Sequence, residues 1–341
     1  MGPTDRPEES RRRPEEEPSD EPSRPLLPDG PFSRIGQETR SIPSGPEPGR
    51  VEGRLAAGTL LQGRYRILDI LGSGGMSTVY KAQDLRFAQV ARLCAVKEMH
   101  NLLADPAMRQ QALRSFEREA GILATLNHPA IPQVYDYFTE GEHSYLVMEF
   151  IQGKDLESLL EEMEGFPPEP QVVNWAIQIC DVLIYLHSKK LVFRDMKPSN
   201  VMVDEAGKVH LVDFGIAKVF QTGQRGTMIG TEGYAPPEQY RGIATPRGDI
   251  YALGATLHHL LTRQDPRLEP PFSFHERPIQ KVNPNVSDEL VAIIERALEY
   301  DPKRRFASAE EMRRALLRLP SARPGAPRLS LIHISEPTRL G

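Results

Sequence analysis

Residues 192–200 read Val-Phe-Arg-Asp-Met-Lys-Pro-Ser-Asn, and Asp213-Phe214-Gly215 begins thirteen residues after Asn200. Asp195, Lys197, Asn200 and Asp213 are thus an acid, a cation, an amide and a second acid at fixed offsets. Those are the groups needed to move a phosphoryl group from Mg-ATP to a hydroxyl. Further upstream, Gly72-Ser73-Gly74-Gly75-Met76-Ser77-Thr78-Val79-Tyr80 sits between two strand-like runs. Glycines let backbone N–H groups approach phosphate oxygens without side-chain clash. A dinucleotide-binding reading needs a helix straight after the glycines, and here the β-rich Thr78-Val79-Tyr80 follows instead. A Walker loop needs Gly-Lys-Ser/Thr, which is missing. Lys97, bracketed by Cys94-Ala95-Val96, is expected to be partly buried, and a buried ammonium demands a counter-charge. Glu119 and Glu117 are the candidates. Glu119 is preferred because Phe116, Ala120 and Leu123 mark the inward face of its helix.

The elements that must position these groups can be read from period and composition. Tyr65–Leu71, Ser77–Gln83, Leu93–Met99 and Ser144–Phe150 read as strands, and Met108–Leu126 as a helix. From 155 onward the pattern is helical. Val173, Ile177, Cys180, Ile184 and His187 fall on one helical face, and Ile250–Leu261 is apolar nearly all round, as a deeply buried helix would be. Ser287 before Asp288-Glu289 reads as a helix start, and Ser308 with Glu311 as a capping box. The expectation is an α+β fold with a small β-rich lobe followed by a larger helical one. Ligands favour the crevice between such lobes.

The chain has 341 residues, 39% of them apolar, and a net charge of −5. Nothing global suggests nucleic-acid binding. The two cysteines, Cys94 and Cys180, are far apart in apolar surroundings. They form neither a metal pattern nor a disulfide framework, so a reducing, cytoplasmic setting is expected. No apolar run is long enough for a transmembrane helix, and the N-terminus lacks a signal-peptide core. Residues 1–57 are rich in Pro, Glu, Arg, Ser and Gly and are expected to be disordered. Residues 62–151 are expected to form the small lobe and 152–319 the large one, with a disordered tail over 320–341. Ser330–Gly341 (SLIHISEPTRLG) resembles translated read-through of a sequencing adapter. The natural sequence is therefore expected to depart after Leu329, which leaves room for a membrane anchor or sensor beyond it.

From Gln62 to Leu319 the chain resembles the eukaryotic-like serine/threonine protein kinases, most closely their bacterial members. The resemblance rests on the glycine loop, on Cys94-Ala95-Val96-Lys97, on Phe193-Arg194-Asp195-Met196-Lys197-Pro198-Ser199-Asn200, on Asp213-Phe214-Gly215 and on Pro236-Pro237-Glu238. It implies that Lys97, paired with Glu119, holds the α- and β-phosphates of ATP. It gives Gly72, Ser73, Gly74, Gly75, Met76 and Ser77 to the phosphate loop, and Leu71, Val79 and Ala95 to the roof over adenine. Met202 would be the floor and Met148 the gatekeeper, and backbone groups of Glu149 and Ile151 would pair with adenine. Asp195 would orient the substrate hydroxyl or take its proton. Lys197 would neutralise charge on the transferred group, and Asn200 and Asp213 would hold Mg²⁺, for which Mn²⁺ could substitute.

By the same resemblance Thr231 touches Asp195 and Lys197 and helps select Ser/Thr substrates. Asp249 braces the catalytic loop, and Glu238 pairs with Arg305. Arg194 would dock a phosphate on Thr227 or Thr222, placed there by autophosphorylation. The implied partners are protein substrates, and a homodimer through the small lobe is a family expectation. Three departures stand out: Ser77 replaces the third glycine, Phe193 the histidine before Arg-Asp, and Pro236 the alanine of Ala-Pro-Glu. None removes a reacting group. The alternative is a nucleotide-binding, pseudokinase-like scaffold that acts through protein partners.

Overall fold

The computed structural model describes residues 2, 49–51, 53–74, 77–86, 90–99, 105–214 and 231–322. In chain order the small lobe contains β1 (Arg50–Val51), β2 (Arg54–Leu55), β3 (Leu60–Leu61), β4 (Tyr65–Ser73), β5 (Ser77–Asp84), β6 (Arg92–Met99), α1 (Pro106–Thr125), β7 (Val134–Glu140) and β8 (His143–Glu149). The large lobe contains β9 (Gly153–Asp155), α2 (Leu156–Glu162), α3 (Glu169–Ser188), β10 (Val201–Asp204), β11 (Val209–Leu211), α4 (Pro246–Thr262), α5 (Ile279–Val282), α6 (Asp288–Ala297) and α7 (Ala309–Leu316).

The small lobe is an antiparallel six-stranded sheet ordered β3-β4-β5-β6-β8-β7. β5 alternates between half-buried and buried positions, the period-2 signature of a strand with two different faces. Tyr65, Ile67, Tyr80, Ala82, Cys94, Val96, Tyr145 and Val147 form the core on one face. The other face meets α1 and the cleft. Helix α1 starts at Asp105, whose side chain accepts from the Ala107 N–H, with Pro106 behind it. Its buried Phe116, Ala120 and Leu123 recur at i, i+4 and i+7.

The large lobe is organised around α4, in which every residue from Gly248 to Thr262 is buried. α3 and α6 pack against it, and a three-stranded sheet ordered β11-β10-β9 lies at the cleft side. Ser287 caps α6 through the Leu290 N–H. Ser308 caps α7 through the Glu311 N–H, but Glu311 returns its carboxylate to Ala307 rather than to Ser308. The box is therefore shifted by one residue at its second arm. No helix among the described residues is long and apolar enough to cross a membrane.

Three sequence expectations differ from the structure. The polar leader is expected to run to residue 57, yet Leu55 is only 2% exposed and packs in the small-lobe core with Leu61. An isolated leucine in a Gly- and Arg-rich stretch has no period to betray it. The buried face of α3 runs through Val172, Val173, Ala176, Ile179, Cys180, Leu183 and Leu186. Ile177, Ile184 and His187 are only half-buried, and His187 turns to a polar partner described below. The strand β7 was not anticipated, because its seven residues are nearly all half-buried and so carry no alternation.

Candidate active site

Position on β6 decides where Lys97 points. Lys97 lies opposite Val79 on β5 and Leu146 on β8. Its Nζ donates to Glu119 Oε1 at 3.1 Å and to Asp213 Oδ1 at 2.8 Å. Glu119 is buried while Glu117 is exposed, so the helix face chosen from the apolar spacing carries the counter-charge. Burial disfavours the Lys97 ammonium, but the carboxylates of Asp213 and Glu119 outweigh it and hold the pKa above the ordinary lysine value. The Asp213 side chain remains 50% exposed. Its φ of 56° puts a non-glycine residue in the left-handed region, a conformation that persists only where surroundings enforce it.

Most of the described residues assigned to the nucleotide fall on β4, β5, β6 and β8 of the small-lobe sheet. Gly72 lies opposite Val79 and Ser73 opposite Thr78. The Gly74 N–H donates to the Ser77 carbonyl at 2.9 Å, which closes the glycine hairpin. Leu71 is 48% exposed, Val79 half-buried and Ala95 buried. Met148 lies opposite Ala95, and both it and Glu149 are half-buried, with Ile151 buried just beyond. Met202, half-buried on β10, comes from the large lobe. Gly75 and Met76 lie outside the described residues, as do Thr222 and Thr227.

The catalytic loop is hung from α4. The buried Asp249 carboxylate accepts the N–H of Phe193 at 2.9 Å and of Arg194 at 2.8 Å, and its Oδ2 lies 2.9 Å from His187 Nε2. The Arg194 carbonyl accepts from Gln239 Nε2 at 2.9 Å. Arg194 has a φ of 70°, a second strained non-glycine residue at the site. The loop so held presents Asp195, buried. Asn200 Nδ2 donates to the Asp195 carbonyl at 2.8 Å and to its Oδ2 at 3.0 Å. Thr231 Oγ1 donates to Asp195 Oδ1 at 2.7 Å and accepts from Lys197 Nζ at 3.0 Å. Lys197 Nζ lies 3.3 Å from Asp195 Oδ2. Phe193 packs edge-on against Phe214, with ring centroids 5.1 Å apart.

Asn200 spends its amide nitrogen on Asp195, which leaves its amide oxygen as the donor available to a cation. With the half-exposed Asp213 carboxylate, that is a pair of oxygen ligands of the kind hard Mg²⁺ prefers, so the residues fit the ion. Arg194 is half-buried. Its pKa is pulled down by burial, partly offset by Asp249, and pulled down again by nearby Arg118.

Glu238 and Arg305 pair at the base of the large lobe, with Arg305 Nη1 and Nη2 donating to the two carboxylate oxygens at 2.6 and 2.9 Å. Gly233, at φ 84°, sits so close to the Pro266 carbonyl that a Cβ would lie 2.3 Å from its oxygen. Next to it the Tyr234 hydroxyl is 2.6 Å from His259 Nδ1. Sequence reasoning missed His187, Gln239 and His259. The one available signal was that His187 is a polar residue at apolar helical spacing, six positions before the loop.

The protein kinase domain model matches residues 65–316. The chain belongs to the protein kinase family. Its curated relatives place it with the bacterial serine/threonine kinases. It is 37% identical over 269 residues to serine/threonine-protein kinase C of Synechocystis sp., covering 75% of this chain and 50% of that one. It is 35% identical over 282 residues to PknB of Mycobacterium leprae, covering 77% and 44%. The chain thus spans about half the length of these relatives. Among solved structures, the apo form of PpkA-294 matches with a TM-score of 0.65 at 26% identity, covering 77% of this chain and 99% of that one. The kinase domain of Mycobacterium tuberculosis PknI matches with a TM-score of 0.60 at 28% identity, covering 77% and 98%.

Proposed function

We propose that this protein transfers the γ-phosphoryl group of Mg-ATP to serine and threonine hydroxyls of proteins. The observation that carries this reading is the simultaneous contact of Lys97 with Glu119 and Asp213, which joins the sheet, α1 and the large lobe at one ammonium. Lys97, steadied by Glu119, holds the α- and β-phosphates. The loop from Gly72 to Ser77 covers them, Leu71, Val79, Ala95 and Met202 sandwich the base, and Met148, Glu149 and Ile151 line its edge. Asn200 and Asp213 would hold Mg²⁺, with Mn²⁺ as a substitute. When bound, the ion neutralises charge on the phosphate oxygens.

Asp195 orients the acceptor hydroxyl and takes its proton as the oxygen bonds to the γ-phosphorus and the bond to the bridging oxygen of ADP breaks. Thr231 fixes Oδ1 of Asp195 and so aims Oδ2 and the backbone of the loop. Lys197 supplies positive charge where it builds on the transferred group. Glu238, Arg305, Tyr234 and Gly233 support the strip on which a peptide docks. Arg194 receives a phosphate on Thr227 or Thr222 after autophosphorylation, a charge-assisted contact. The domain works in the cytoplasm, and a longer parent chain would anchor it to the membrane.

The test is intact-mass measurement of the chain, and of added casein, after incubation with Mg-ATP. The wild type is expected to add 80 Da steps, typical of a phosphoryl group, at about 10²–10⁴ times the rate of Asp195→Asn. Equal, near-zero incorporation by both chains, with nucleotide still bound, would favour a scaffold and overturn the reading.

A further inference from the structure

β6 carries Lys97, yet apolar burial alone does not fix how β6 lies. Cys94, Ala95, Val96, Lys97 and Glu98 are 1%, 8%, 0%, 9% and 0% exposed, so both faces of the strand are covered. A one-residue slip moves every side chain of a strand to its other face. Here a slip would expose no apolar set; it would exchange the faces of Lys97 and Glu98, parting Lys97 from Glu119 and Asp213.

Glu98 anchors the strand from its other face. It lies on the core face, opposite Thr78 on β5 and Tyr145 on β8. Its Oε2 accepts from the Tyr80 hydroxyl at 2.8 Å and its Oε1 from the Tyr145 hydroxyl at 3.2 Å. His143 Nδ1 lies 3.1 Å from Oε1. The Tyr80 oxygen in turn accepts the Leu55 N–H at 3.1 Å, which ties in the arm before β3. A buried carboxylate is tolerated only where such donors converge, and in the observed register they converge on Glu98.

We infer that Glu98 is a positioning residue for nucleotide binding: its cluster with Tyr80, Tyr145 and His143 pins β6 in the register that presents Lys97 to the cleft. This rests on the reading of Lys97 as a phosphate ligand. It assigns a task to a buried acid that the reaction itself does not use.

The experiment measures binding of a fluorescent trinitrophenyl-ATP with Mg²⁺ to the full chain, together with KM for ATP and kcat. Glu98→Met is expected to weaken binding and raise KM about tenfold while kcat stays within about threefold, because an acceptor set is lost behind Lys97 and not at the reacting atoms. Glu98→Gln keeps an acceptor oxygen and is expected to stay near the wild type. Should Glu98→Met fail to fold by circular dichroism, Tyr80→Phe carries the test, with a loss of about threefold. Wild-type affinity in whichever of these two variants folds, with only the melting temperature lowered, overturns the inference, as does Glu98→Gln as weak as Glu98→Met. Binding needs no turnover, so a wild type that binds nucleotide but transfers nothing fails the activity reading and leaves this one measurable.

Discussion

Two charged clusters in this molecule look alike on paper and are built differently. At the base of the large lobe all five N–H donors of Arg305 are used: on Glu238, and on the carbonyls of Glu299, Arg247 and Tyr300. The Arg305 side chain has no exposed surface, and that of Glu238 is 11% exposed. In the cleft, Lys97 is shared between a buried Glu119 and a half-exposed Asp213. The first cluster is saturated and has nothing left to offer a ligand. The second keeps one carboxylate open to solvent on a strained backbone. A pair that only holds the fold can be closed, whereas a pair that works must remain open on one side.

The contrast can be broken by substitution. Arg305→Met strands the Glu238 carboxylate and three carbonyls, so unfolding free energy should drop by about 3–5 kcal/mol. Nucleotide affinity of the folded fraction should not change. Urea titration with and without Mg-ATP reads both, and an affinity loss matching the stability loss would erase the distinction. Asp213→Asn should do the reverse. Phosphoryl transfer is expected to fall about 10²–10³-fold. The melting curve should shift little, because a half-exposed carboxylate contributes about 1 kcal/mol or less. A large fall in melting temperature would make Asp213 a structural residue.

His258 sharpens the comparison as a third case, a titratable group kept neutral by burial rather than by a partner. Its Nε2 lies 2.8 Å from the Arg277 carbonyl. Burial lowers its pKa from 6.5 to about 4. The unfolded chain therefore binds a proton that the folded chain refuses between these values. The stabilisation is complete above pH 6.5 and is lost as pH falls toward 4, by roughly 3 kcal/mol in all. His258→Gln keeps a donor and cannot take up the proton, so its stability should be flatter across that window in denaturant melts at pH 7, 5.5 and 4.5.

How much of this was legible in the sequence depends on which force sets each feature. The strands around Lys97 and the helix bearing Glu119 could be read because burial on one face imposes a period. The order of small β-rich and large helical lobes followed from the same periods. The brace on the catalytic loop could not be read from residues alone. Asp249 meets His187 across 62 positions and Gln239 reaches Arg194 across 45, and apart from the helical spacing of His187 no local pattern distinguishes them from exposed polar residues. Leu55 was missed for the opposite reason: one buried leucine has no periodic neighbours. Glu98, an acid beside a lysine in a strand, reads as part of a solvated pair until both faces are known to be covered.

The connection between the lobes carries a last consequence. Glu149 ends β8 inside the small-lobe sheet, and Gly153 begins β9 so close to the large lobe that a Cβ would stand 2.2 Å from the Val203 oxygen. Each sheet thus clamps its own end of the crossing, and only Phe150, Ile151 and Gln152 lie between the clamps. Whatever swing the two halves make must be taken up in those three peptides, beside the edge where adenine is proposed to rest. A bound base would then act as a splint across the pivot, and opening and emptying the cleft would become one event.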